Sequence, residues 1–228
     1  MNPAVAIFVK TPGYSDVKTR LSVGMGKDFA EKWHRRAAAA VAASATESGL
    51  PAYWAVAETA ALNGDHWPEL PNLDQGTGSL GARMARVHRL LVERHGAGIL
   101  VGSDMPQLTA GQLRRAAALL ESDRPAQVIG PAVDGGFWLF GANRCFPESD
   151  WTAVTYSQPD TAARFCQVLA PEARWHTLEP QTDLDRPSDL AGVLAELRAL
   201  SAPTLAQRRL AEWLGRPDGP GGRVDSPG

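Results

Sequence analysis

Cysteine is scarce in this chain: two thiols, Cys145 and Cys166, are all that 228 residues contain. A disulfide framework or a cysteine-based metal site has nothing to build on, so two reduced thiols in a cytosolic protein is the preferred reading. Charge of one sign is also missing, since 23 basic residues face 25 acidic ones and the net charge is −2. That balance argues against nucleic acid as a partner and against a polybasic membrane anchor, so any anionic ligand must be met by a local positive site. No long apolar run occurs: Ala37 to Ala45 follows Arg35 and Arg36 and is too short and too interrupted for a membrane span. Met1 leads straight into Ala4-Val5-Ala6-Ile7-Phe8-Val9 without a basic n-region or a small-residue cleavage site. No signal peptide is expected, and the chain reads as soluble and cytoplasmic. His34, His66, His88, His95 and His176 show no ligand spacing and read as surface or structural residues.

What remains is an ordinary globular composition, 44% hydrophobic and 21% charged, enough for one well-buried core. Short apolar runs alternate with longer amphipathic ones, which predicts βαβ units around a mainly parallel sheet. Strands are expected at Val5–Val9, Ala52–Val56, Gly98–Val101, Val128–Ile129, Phe137–Phe140 and Trp175–Leu178. Helices are expected over Lys27–Ser48, Leu80–Arg94, from an N-cap at Thr109 to about Glu121, over Asp160–Leu169, from Pro187, and over Leu205–Leu214. One domain over residues 1–214 is expected, followed by a Gly/Pro-rich tail over 215–228 that cannot bury much apolar surface.

In an open parallel sheet, ligands collect at the carboxyl ends of the strands. Polar residues fall at those places: Lys10, Lys18, Thr19 and Arg20 after the first strand, and Asp104 after Gly98–Val101. Asp134-Gly135-Gly136 follows the Val128 strand, and Asp183 and Asp185 follow the Trp175 strand. A basic loop between strand and helix suits phosphate oxygens, although a solvated basic turn has the same letters. The Gly-Lys-Ser/Thr order of a Walker A loop is missing. A strand-end carboxylate such as Asp104 suits magnesium, which takes one or two carboxylates and fills its shell with phosphate and water. Asp104 could equally cap the loop before Thr109, Asp134-Gly135-Gly136 could be a tight hairpin, and Asp185 could cap the helix near Pro187.

Phe8-Val9-Lys10-Thr11-Pro12 with Val17-Lys18-Thr19-Arg20-Leu21, Gly78-Ser79-Leu80-Gly81-Ala82-Arg83-Met84, and Gly102-Ser103-Asp104-Met105-Pro106-Gln107-Leu108 resemble strings of the DUF2064 family, bacterial GT-A-fold proteins described as glycosyltransferase-like. Gly130-Pro131-Ala132-Val133-Asp134-Gly135-Gly136-Phe137 and Thr182-Asp183-Leu184-Asp185 follow in order, so the likeness spans roughly residues 4 to 195. Three departures stand out: Tyr14-Ser15, where Pro-Gly is frequent, Tyr156-Ser157 in place of Trp-Ser, and Phe137-Trp138 in place of a common pair of tyrosines. The resemblance implies a three-layer α/β/α sandwich of the nucleotide-diphospho-sugar transferase type.

It also implies a metal-dependent transferase that takes a nucleotide sugar or an NTP together with a small-molecule acceptor. Asp104 and Asp183 are then expected to hold Mg²⁺ or Mn²⁺, while Lys10, Lys18, Thr19, Arg20 and Arg83 meet phosphate. Gly135 and Gly136 would lie against sugar or acceptor, with Asp134 and Asp185 as the catalytic carboxylates. Glycosyl transfer is the leading reading, nucleotidyl transfer with pyrophosphate release the alternative, and a non-catalytic nucleotide-binding protein the rival of another class. Base, sugar, acceptor and oligomeric state are left open.

Overall fold

The computed structural model describes residues 1–170 and 175–216. Seven strands form one sheet: β1 (Ala4–Val9), β2 (Ala52–Val56), β3 (Asn72–Asp74), β4 (Gly98–Gly102), β5 (Gln127–Pro131), β6 (Phe137–Ala142) and β7 (Trp175–Thr177). Their order across the sheet is β3-β2-β1-β4-β6-β5-β7. Only β6 runs against its neighbours; β1 pairs parallel with both β2 and β4, and β5 pairs parallel with β7. The carboxyl ends of β1, β4, β5 and β7 therefore open on one edge.

Among the described residues the eight α-helices are α1 (Thr19–Met25), α2 (Lys27–Ser48), α3 (Leu80–His95), α4 (Ala110–Leu120), α5 (Glu148–Ala153), α6 (Thr161–Leu169), α7 (Leu190–Ala199) and α8 (Leu205–Leu214). Side chains alternate across β1 as a pleated strand requires. Val5, Ile7 and Val9 pack with α2 and α4 on one face, while Ala4 and Ala6 pack with α3, α5 and α6 on the other. This is the expected three-layer α/β/α sandwich. The alanine-rich α2 is buried on two sides, which explains its composition. Ala38, Val41, Ala42 and Ala45 face the sheet, and Ala37 and Ala40 join Trp33 and Phe29 against α7 and α8. No helix among the described residues is long and apolar enough to cross a membrane.

The elements expected from periodicity are present, with two kinds of difference. Three short ones, α1, β3 and α5, escape a pattern reading because each is too brief to show a period. The segment from Pro187 opens as a 3-10 turn, Pro187–Asp189, before α7. Asp185 does not cap it. Asp189 Oδ2 accepts instead from the backbone N–H groups of Arg186 (2.7 Å) and Asp185 (3.1 Å), and the Asp185 side chain turns away toward Arg20. Of the expected tail, Gly215 and Arg216 are described, and the remainder lies outside the described residues.

Candidate functional site

A cleft of about 900 Å³ lies along the carboxyl edge of the sheet. Lys10, Lys18, Thr19, Arg20, Asp104, Asp134, Asp183 and Asp185 all line it, so residues from four strand ends meet in one place. Three expected site residues, Arg83, Gly135 and Gly136, do not line this cleft. Arg83 directs its Nε to the Gly78 carbonyl at 3.1 Å, holding the turn that leads into α3. Gly135 is required by packing: its φ is +88°, and a Cβ there would strike the carbonyl oxygen of Pro159. Asp134-Gly135-Gly136 is the hairpin turn between β5 and β6, with Asp134 Oδ1 accepting from the Gly136 N–H at 2.9 Å. Gly136 lines a second, neighbouring cavity.

The centre of the cleft is an ion pair. Lys18 Nζ lies 3.0 Å from Asp104 Oδ2, with the lysine side chain only 6% exposed. The backbone at Lys18 is left-handed, φ 48° and ψ 49°, which is uncommon for a residue with a side chain and is stored strain. That conformation ends the first loop and sends the ammonium inward. Burial would by itself push the Asp104 carboxyl up; Lys18 first and His34 next more than reverse this and hold it well below the usual carboxylate range.

His34, on α2, was unremarked by spacing and stands at the back of this site. Its Nε2 donates to the Lys10 carbonyl at 2.8 Å, since a carbonyl can only accept. Nδ1 then faces Asp104 Oδ1 at 3.6 Å, and neither atom has a hydrogen-bond partner among the described residues. Only the fold brings them together, because α2 packs across β1. The signal available in the sequence was the placement of His34 on the buried stripe of a helix.

The other acidic groups crowd the same space. Arg20 Nη1 donates to Asp185 Oδ2 at 2.7 Å on the rim. Asp183 is half-buried, and its carboxyl is raised above the ordinary value, by burial first, with Asp134, Asp104 and Asp185 adding to the effect and Lys18 opposing it. Gln75, after β3, ties the floor together by donating to the Ala55 carbonyl at 2.8 Å and the Val9 carbonyl at 3.3 Å.

The arrangement fits a hard divalent cation. Asp104 Oδ1 is a buried oxygen without a partner, and Asp183 sits in an excess of negative charge that a cation would relieve. Among the described residues, no three His, Cys, Asp or Glu side chains gather as a ready-made cage. A set of one or two carboxylates suits Mg²⁺ or Mn²⁺ that completes its shell with phosphate and water. Chemically, the cleft offers cations for phosphate on its β1 side and carboxylates for metal or proton on its β4 to β7 side.

Solved structures place this fold. A protein from Desulfovibrio desulfuricans, provisionally assigned to the nucleotide-diphospho-sugar transferases, superposes with a TM-score of 0.77 at 20% identity, over 93% of this chain and 95% of its own. A nucleotidyl transferase from Methanothermobacter matches with a TM-score of 0.55 at 13% identity, over 87% and 99% of the two chains. The 4-diphosphocytidyl-2C-methyl-D-erythritol synthase of Anaerococcus prevotii gives 0.50 at 8% identity, over 86% and 98%. These likenesses establish a nucleotide-diphospho-sugar transferase-type fold. No curated protein matches the sequence at a significant level. The family model described as an uncharacterized protein conserved in bacteria, DUF2064, matches residues 33–158, a stretch that holds His34, Asp104 and Asp134. The chain belongs to the DUF2064 family.

Proposed function

We propose that this protein transfers a glycosyl group from a nucleotide sugar to a small acceptor. The observation that carries the reading is the Lys18–Asp104 pair, with its lysine buried, together with Arg20, Asp134 and Asp183 in one cleft at the carboxyl edge of the sheet. A diphosphate is the ligand that answers both halves of that constellation. Its oxygens take the place of Asp104 as partner for Lys18 and draw Arg20 from the rim. Asp104, with Asp183 beside it, would hold Mg²⁺ or Mn²⁺, whose charge offsets that of the leaving phosphate.

The protein groups then work by position and electrostatics. Lys18 and Arg20 are strongest where negative charge grows, on the phosphate that departs. Asp134 lines the same cleft as Lys18, on the turn after β5, and is suited to take the proton of an attacking hydroxyl. Asp185 holds Arg20 and so sets where that guanidinium waits. The fold likeness to nucleotide-diphospho-sugar and nucleotidyl transferases supports an activated nucleotide as donor. Nucleotidyl transfer from an NTP is the second reading, favoured by the concentration of Lys10, Lys18 and Arg20 in one loop.

Product analysis tests the choice. The protein is incubated with Mn²⁺, a set of nucleotide sugars or NTPs, and a pool of small acceptors. Release of a nucleoside diphosphate from a nucleotide sugar is expected. Pyrophosphate from NTPs, without diphosphate from any nucleotide sugar, would overturn glycosyl transfer.

A further inference from the structure

A second cavity, of about 260 Å³, opens beside the polar cleft and shares Phe8, Leu80, Gly102, Asp134 and Ser157 with it. Its interior is apolar, formed by Met84, Leu100, Phe137 and Trp138 beyond Phe8 and Leu80. The polar atoms that do reach the inner wall are already engaged. Trp138 Nε1 donates to the Glu179 carbonyl at 3.3 Å, Tyr156 Oη to the Trp151 carbonyl at 2.9 Å, and Thr161 Oγ1 to the Gln158 carbonyl at 2.9 Å. A sugar ring, with a hydroxyl on almost every carbon, would lose its water there and gain few partners.

Uncommitted polar groups stand only at the seam between the two spaces. Asp134 uses Oδ1 for the Gly136 N–H and leaves Oδ2 without a hydrogen bond among the described residues. The Ser157 hydroxyl also makes none, and its backbone is held at φ 61°, strained for a residue with a side chain. No Lys, Arg or His lines the cavity among the described residues. A phosphorylated group held inside the cavity would find no cation in its lining and would lie against the Asp134 carboxylate. Gly102 adds a separate observation. It ends β4 with an ordinary φ, and a Cβ placed on it would meet nothing within 4 Å. The fold has no steric need for glycine at this point, and the residue lines both spaces.

We infer that this cavity is the acceptor subsite and that the acceptor is an uncharged molecule with an apolar body and a free hydroxyl directed at Asp134. The inference rests on the transferase reading above and adds the chemical class of acceptor. In the reaction, the acceptor oxygen forms a bond to the anomeric carbon as the bond from that carbon to the phosphate oxygen breaks. The phosphate leaves with the electron pair, and the hydroxyl proton passes to Asp134 Oδ2.

A matched pair of probes tests it: 2-phenylethanol and 2-phenylethyl phosphate, which share one apolar body and differ in charge. Binding to the full chain is measured by calorimetry and saturation-transfer NMR, with and without Mn²⁺ and the common nucleoside diphosphates. The alcohol is expected to bind at least tenfold more tightly than the phosphate. Gly102→Leu, which fills open space, is expected to weaken the alcohol at least tenfold with little change in melting temperature. Phe137→Leu, which touches this cavity and not the polar cleft, serves as the second variant and should weaken it several-fold. Equal or tighter binding of the phosphate overturns the inference, as does alcohol binding that neither variant alters, or no binding of either probe by the parent. Nucleoside diphosphate binding is read in the same samples without probe. Its absence would remove the donor reading, whereas the probe results still decide whether this cavity takes an uncharged apolar alcohol.

Discussion

Lys18 and Asp104, placed 3.0 Å apart by the first loop and the end of β4, form an ion pair that spans the floor of the cleft. The lysine reaches it from a left-handed backbone, so the contact is maintained against local strain. A carboxylate held this way is fully ionised and ready for a cation, and its lysine partner is ready for an anion.

Lys18→Met should therefore have two effects. Nucleotide binding should fall at least tenfold, because the buried positive charge is lost. Removing the partner also leaves Asp104 uncompensated, which should destabilise the fold by roughly 1–3 kcal/mol, less than for a fully buried pair because the cleft is solvated. Urea unfolding gives the second quantity. An unchanged midpoint would show that the pair contributes nothing to the fold.

Asp183 should show the opposite sign. Its carboxyl is raised in the folded state, so its contribution favours the fold below the ordinary Asp pKa and is lost as pH rises through the raised value. Once ionised, Asp183 strains the ligand-free protein through its burial and the neighbouring carboxylates. Asp183→Asn should raise the melting temperature at pH 7 by about 2–4 °C per kcal/mol relieved, and the gain should vanish in acid. The same substitution should weaken Mn²⁺ binding, and in the parent Mn²⁺ affinity should decline as acid protonates Asp183. A gain in stability that persists at pH 3 would contradict this origin.

His88 governs a separate pH window. It is 1% exposed among Phe140, Phe146 and Trp151, and burial lowers its pKa to about 4. A base with a lowered folded pKa adds stability above its unfolded value, near 6.5, and loses it as pH falls toward 4. The full effect is on the order of 3 kcal/mol. Melting curves from pH 7 to pH 4 should drop steeply for the parent and less for His88→Leu, which removes the titrating group and an Nε2 that has no partner. Parallel curves would exclude His88 as the cause.

Gly135→Ala should be damaging without touching any ligand. The added Cβ meets the Pro159 carbonyl and a φ of +88°, so a cost of about 2–4 kcal/mol is expected. Differential scanning calorimetry should show a clear fall in melting temperature. A fall of less than 2 °C would mean that the turn relaxes freely.

Much of this arrangement is legible in the sequence. The long elements were legible because their period is strong: α2 is 22 residues and stops at Gly49, and α4 starts at a Thr109–Gln112 capping box. Lys18, Asp104 and Asp134 could be placed together because each follows a strand of a sheet read as parallel, and all three line the cleft. The antiparallel direction of β6 was not legible, since a short apolar run has no polarity of its own. His34 was missed because its meeting with Asp104 depends on how α2 lies across β1. Asp185 fits a cap by spacing, and its ion pair with Arg20 takes the side chain away from that role. Gly135 and Gly136 looked alike in sequence; the backbone of Pro159 gives the first a packing role that letters alone do not carry.

The most direct test of the central claim is calorimetric titration of Mn²⁺ together with a set of nucleotide sugars into the parent and Asp104→Asn proteins. A nucleotide sugar should bind the parent only when Mn²⁺ is present, and at least tenfold more weakly to Asp104→Asn, whose far-UV spectrum should match the parent. Binding that is equally tight in both proteins, or indifferent to Mn²⁺, would contradict a metal-assisted donor site at Asp104.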